Sequence, residues 1–232
     1  MVVTSKKIGV GVILYVIGLV FTHCETTPSS TQNSIESKQK TTASELDSLL
    51  TEVGNYQHIY PDSALAQLQF IEAENTIEQD SHVTMRLQTF YGLDAYYRTS
   101  YTEAITYFQE AIKWSEALHD SVQKGMILNN LGSIHLDIGN LEDAQSHFVQ
   151  ALDIMMALDN HKWISNTTQN LAGVYFRQNL FTECLAYMET SIIYGLKAQN
   201  YKSVAGAYSN LAMVYSQLND QKTALLQFKK GI

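Results

Sequence analysis

The residues best equipped for recognition chemistry are three asparagines at one spacing. Asn130, Asn170 and Asn210 recur every 40 residues, each directly before a leucine (Leu131, Leu171, Leu211). A carboxamide is both acceptor and double donor, a set suited to peptide N–H and C=O groups. Asn is also a poor helix-interior residue, so its use three times in one register needs a reason beyond packing. Catalytic and metal chemistry leave no comparable trace. The seven histidines (23, 58, 82, 119, 135, 147, 161) show no ligand spacing, and no HExxH, nucleophile elbow, P-loop or GxGxxG occurs. His135 and His147 occupy positions read as packed core. Cys24 and Cys184, the only cysteines, exclude a disulfide framework and a Cys-based zinc site. Glu142 with Asp143, and Glu78 with Asp80, stand at or beyond helix ends and read as cap or dipole partners, not as an acid/base pair. No enzyme activity, cofactor or metal is expected.

Helices must position these residues. With Gly 12 and Pro 2 in 232 residues, the chain lacks the turn residues a β-sandwich needs every ~8–12 positions. Charged residues are 16% of the chain, well under the ~25% of ordinary soluble domains, which argues against a long charged coiled coil. The net charge is −8. Residues 1–42 hold four Lys and two Glu, so the body carries 11 basic and 21 acidic residues. That balance repels phosphate backbones, and no nucleic-acid partner is expected.

From about Ala43 the chain repeats itself. Residues 129–154 (NNLGSIHLDIGNLEDAQSHFVQALDI) align with 169–194 and 209–232 at a period of 40, and 89–114 lies one period earlier. Leu131, Leu171 and Leu211 are each followed by Gly132, Ala172 or Ala212. Ala104, Ala144, Cys184 and Ala224 share a second column. Phe108, Phe148, Met188 and Phe228 share a third, and Ala111, Ala151, Ser191 and Gly231 a fourth. Ala104, Tyr107, Phe108 and Ala111 follow i, i+3, i+4, i+7, one face of a helix. Turns are expected at Thr99-Ser100, Gly139-Asn140, Gln178-Asn179 and Asn219-Asp220.

These columns resemble the tetratricopeptide repeat, whose pattern is Leu-Gly-x-x-Tyr followed by Ala-x-x-x-Phe-x-x-Ala. The resemblance implies antiparallel helix pairs stacked into an all-α right-handed superhelix. The period of 40 exceeds the usual 34 and the closing Pro is missing, which implies helices of about 18 residues joined by two-residue turns. Residues 43–232 then hold about five units. In the first, Pro61 opens a helix, Ala64 and Leu68 keep register, and Thr51 replaces the column leucine. The last is cut short beyond Gln221, leaving Leu225, Phe228 and Ile232 without a successor. In the family the asparagine column lines a concave groove and bonds the backbone of a bound peptide. Asn129, Gln169, Ser133, Asp137, Arg177 and Gln217 are expected on the same wall, with Arg177, Asp137 and Gln217 selecting sequence. The alternative is an asparagine ladder that only bonds neighbouring helices.

The N-terminus reads as an export signal. Lys6 and Lys7 precede a 14-residue apolar run from Ile8 to Phe21, shorter than the ~20 residues of a spanning helix. Cys24 follows, and residues 1–24 resemble a bacterial lipoprotein signal, departing from it at Phe21, Thr22 and His23. Lipidation of Cys24, ordinary cleavage after it and an uncleaved anchor all remain open. Nine of the 18 residues in 25–42 are Ser or Thr, a tether too polar to repay ordering and able to reach ~60 Å when extended. The expected function is a non-catalytic scaffold on the periplasmic side of the cell envelope, membrane-anchored and binding a peptide or partner protein. The layout is also similar to the exported sensor region of a histidine kinase or transcription regulator, of which this chain would be a fragment.

Overall fold

The computed structural model describes residues 41–231; the readings of residues 1–24, with Cys24, and of the tether up to residue 40 lie outside them. Among the described residues every regular element is a helix: α1 Ala43–Tyr56, α2 Pro61–Glu78, α3 Ser81–Tyr97, α4 Tyr101–Ala117, α5 Ser121–Asp137, α6 Leu141–Ala157, α7 His161–Arg177, α8 Phe181–Lys197, α9 Tyr201–Gln217 and α10 Gln221–Lys230. None of these is long and apolar enough to cross a membrane.

From α3 onward the helices are metered by one turn, repeated. Residues 79, 99, 119, 139, 159, 179, 199 and 219 all have φ between 50° and 83°, yet only Gly139 is glycine. The next residue closes the turn. The N–H of Ser100 donates to the Ala95 carbonyl at 2.8 Å while that of Thr99 reaches Tyr96, and the same pair of bonds recurs at five further turns through Asn200 and again at Asp220. This is the Schellman end, which satisfies carbonyls that a helix C-terminus leaves orphaned. Except at Ser100 and Leu180, the residue in this position then caps the following helix. Asp80, Asp120, Asn140, Asn160, Asn200 and Asp220 each accept, through the side chain, from the third N–H of the next helix. The expected two-residue turn is therefore three residues long and the helices hold 17 residues, because the C-cap residue and the left-handed residue both precede the shared cap.

The start of the array follows a different rule. Thr42 and Glu45 form a capping box, and Pro61 sits in the first turn of α2. Four residues join α1 to α2, so α1 falls out of the 20-residue phase set by the later turns. Leu46, Leu50 and Val53 are its buried residues. Thr51, expected in the leucine column, instead faces solvent and accepts from Arg86 Nη2 at 3.1 Å.

Three of the four core clusters span three consecutive helices. Ala104, Phe108, Ile127 and Leu131 bind α3, α4 and α5 together, and Cys184, Met188, Ala207 and Leu211 do so for α7, α8 and α9. Small and large residues interlock across each pair. A Cβ at Gly92 would lie 2.8 Å from the Phe108 ring and one at Gly132 2.6 Å from Phe148. Where the large residue is the slimmer Met188, the small column holds Ala172. Ala64 and Leu68, placed in register from the sequence, are fully buried, as are Phe108, Phe148 and Ala144. The odd-numbered helices also pack on one another past the single helix between them, α1 on α3, α5 on α7 and α7 on α9, which makes them the inner layer.

Gly132→Ala should destabilise the protein by about 1–3 kcal/mol through overpacking against Phe148, outweighing the ~1 kcal/mol that alanine gains in a helix. Urea unfolding with amide exchange checks it. Protection should fall first in α5, α6 and α7, since repeats couple to neighbours; an unchanged or higher midpoint would contradict the interlock.

Candidate functional site

The inner layer carries the predicted recognition residues, and the structure separates them into three groups. Gln169 and Asn170 on α7 and Asn210 on α9 come together at the mouth of one cavity of about 220 Å³. All three are half-buried. Asn129 on α5 is buried and accepts from Asn170 Nδ2 at 3.0 Å. This bond fixes the Asn170 amide with its nitrogen toward α5 and leaves its oxygen for another donor. The Gln169 oxygen lies 3.5 Å from the Ser203 hydroxyl of α9.

A second group sits one helix pair upstream. Asn130 is half-buried, and among the described residues neither its amide nor that of Asn210 has a hydrogen-bond partner. Ser133 is half-buried and donates to the Asn129 carbonyl of its own helix at 3.1 Å. The third group lies at the C-terminal ends of the inner helices. Asp137 accepts from the Tyr96 hydroxyl at 2.7 Å, and Arg177 Nη1 donates to the Leu136 carbonyl at 2.8 Å. Burial, with that bond to Asp137, raises the Tyr96 hydroxyl pKa. Both Asp137 and Arg177 thus already tie successive inner helices together. Gln217 is exposed at the end of α9 and does not line the cavity.

The asparagine column is therefore not a ladder of Asn130, Asn170 and Asn210 bonded to one another. The cross-helix contact is diagonal, Asn129 to Asn170, and the same offset of 41 links Tyr96 to Asp137 and Leu136 to Arg177. Sequence reasoning did not find the apolar part of the cavity, which includes Leu136, Phe176, Met188 and Met213. Gly173 was the available signal. A glycine inside a helix costs about 0.5–1 kcal/mol relative to alanine, and at the matching positions stand Ser133 and Met213. A Cβ at Gly173 would meet only the Leu136 side chain, at 3.6 Å, so the glycine leaves open space at the cavity.

The other chemistry-bearing residues take structural places. Cys184 is fully buried in the small-residue column, and burial pushes its thiol up to about 11, so it stays protonated near neutrality. Asp143 is tied to Asn140 at 2.6 Å and Asp80 caps α3. His135 and His147 meet edge to face at 5.1 Å, where the next pair stacks Tyr175 on Tyr187 at 5.2 Å. Among the described residues no group of three or more His, Cys, Asp or Glu is placed to hold a metal.

Such an arrangement defines a helical-repeat solenoid whose inner helices present amides around an apolar cavity. Family models of the tetratricopeptide repeat match residues 83–157 and 205–232, and the fold is an all-α superhelix of the kind built by such repeats. Response regulator aspartate phosphatase H of Bacillus subtilis (strain 168) is 27% identical over 146 residues, 61% of this chain and 38% of that protein. The chain thus spans well under half the length of that curated relative. Aspartyl phosphate phosphatase F from Bacillus subtilis shares the fold with a TM-score of 0.69 at 18% identity, over 79% of this chain and 48% of the other. A Rap protein complexed with competence and sporulation factor gives 0.59 at 17% identity, over 82% and 65%.

The histidine pair makes a pH prediction. Burial first, and His135 second, lower the His147 pKa, with Asp143 opposing. The folded state therefore favours neutral His147. That stability is complete above the unfolded value of about 6.5 and is lost as pH falls below it toward the folded pKa. Melting temperature should drop from pH 7 to 5 more steeply in the parent than in His147→Gln. Parallel profiles would contradict the assignment.

Proposed function

We propose that this chain is a recognition scaffold without catalytic chemistry of its own, holding an extended peptide or a partner's segment along its inner layer. The observation that carries the reading is the meeting of Gln169, Asn170 and Asn210 at one cavity mouth. Asn170 offers its oxygen and Asn210 its whole amide, the acceptor and donors that a peptide backbone requires. A similar fold complexed with a named factor, the Rap protein above, supports it. Residues 1–24 export the chain and 25–42 tether it, so the scaffold works on the periplasmic face of the cell envelope. Cys24 lipidation is one route to anchorage there.

The test is capture of partners from envelope extract by the full chain, followed by calorimetry. Converting Asn130, Asn170 and Asn210 to Ala should cost about 1 kcal/mol each in binding while helix content holds, since alanine favours helix. Undiminished binding with a lowered melting temperature would make the asparagines structural. Cys24→Ser should release the chain from the membrane fraction if lipid holds it; retention would leave an uncleaved anchor.

The sequence match to a response regulator aspartate phosphatase favours a second reading, in which the array docks a response regulator of a signalling system. Loss of phosphate from a phosphorylated response regulator on addition of the purified chain would favour that reading over the first.

A further inference from the structure

The cavity between α7 and α9 has a chemical selectivity that the amides at its mouth do not express. We propose that it is a side-chain subsite for an uncharged aliphatic or thioether residue, leucine or methionine, of an extended peptide. The proposal rests on the groove reading above and adds what the groove reads.

Size is the first argument. About 220 Å³ falls below the ~300–1,000 Å³ typical of small-molecule sites, so the space suits one side chain rather than a whole cofactor or metabolite. Polarity is the second. Its lining includes the buried Cys184 and Met188, 0% and 3% exposed, and Met213, 57% exposed. No acidic or basic side chain lines the cavity, and the Cys184 thiol is neutral near pH 7 because burial raises its pKa. A charged occupant would lose its water and find no counterion.

Orientation is the third argument. Asn170 and Asn210 stand on facing inner helices, and Asn129 holds Asn170 with its oxygen available. Backbone polar groups are thus met at the mouth, and only a side chain descends past Gly173 toward Met188. Thioethers on two sides can adjust to a γ-branched or an unbranched chain, so leucine and methionine fit alike. The glycine at 173 is the specificity-determining residue, since any larger side chain there would occupy the space.

The experiment uses the full chain with 13C-methyl methionine and 15N-asparagine, titrated with four probes: the N-acetyl methylamides of leucine, methionine, lysine and glutamate. The leucine and methionine probes should shift the Met188 and Met213 methyls and the Asn170 and Asn210 carboxamides saturably, at least fivefold more tightly than the charged probes. Gly173→Phe should abolish those methyl shifts. Met213→Glu, at an exposed position, should reverse the preference toward the lysine probe and keeps the test open if the first variant fails to fold. Equal carboxamide shifts from all four probes, with the methyls unmoved, would overturn the subsite and leave the groove reading standing. Movement of neither asparagine with any probe would overturn both.

Discussion

One residue in twenty serves two helices, and the geometry of the array depends on it. From Ser100 to Asp220 its backbone N–H closes the end of one helix on a carbonyl five residues back, as Asn160 does on Met155 at 2.9 Å, and at every one of these turns except those of Ser100 and Leu180 its side chain also caps the start of the next. The backbone bonds alone hold the length, since the turns at Ser100 and Leu180 keep it without a side-chain cap from the closing residue. The residue before it must be left-handed, which costs an L-residue roughly 1–2 kcal/mol. Thr99 carries that conformation at φ 59° despite its branched Cβ, so closing the turn outweighs the strain.

Uniform turns give uniform rotation, and uniform rotation returns the same face every second helix. The interlock of Gly132 with Phe148 and of Gly92 with Phe108 requires that return, since a ring fits only where the opposing backbone is bare. So does the inner layer. Asn170 and Asn210 can flank one cavity because α7 and α9 present the same register, and Asn129 can hold Asn170 because α5 sits one repeat behind. Where the connection differs, between α1 and α2, the face shifts: Leu50 goes inside and Thr51 to the surface.

Residues whose identity is dictated by packing were legible in the sequence. Phe148, Ala144 and Cys184 announce a helix pair because each column admits few sizes. The turns at Thr99, Gly139, Asn179 and Asn219 were legible as turns, but the left-handed conformation itself was marked only at Gly139. Thr99, His119, Asp159, Asn179, Gln199 and Asn219 show that several residue types tolerate the conformation, so no composition rule marks them. The amides were legible as a column, but their pairing was not, because inner helices cross diagonally and bring 129 rather than 130 to 170. The cavity was the least legible part. It arises where side chains of four helices leave a gap beside Gly173, and the gap belongs to no single residue.

The left-handed turns set the phase that brings the recognition residues together. Backbone 13Cα and 13Cβ chemical shifts in solution report that conformation directly. Left-handed shifts are expected at Thr99, His119, Asp159, Asn179, Gln199 and Asn219, each flanked by helical shifts on both sides. Right-handed or extended shifts at these positions would contradict it, and with it the common register of Asn170 and Asn210.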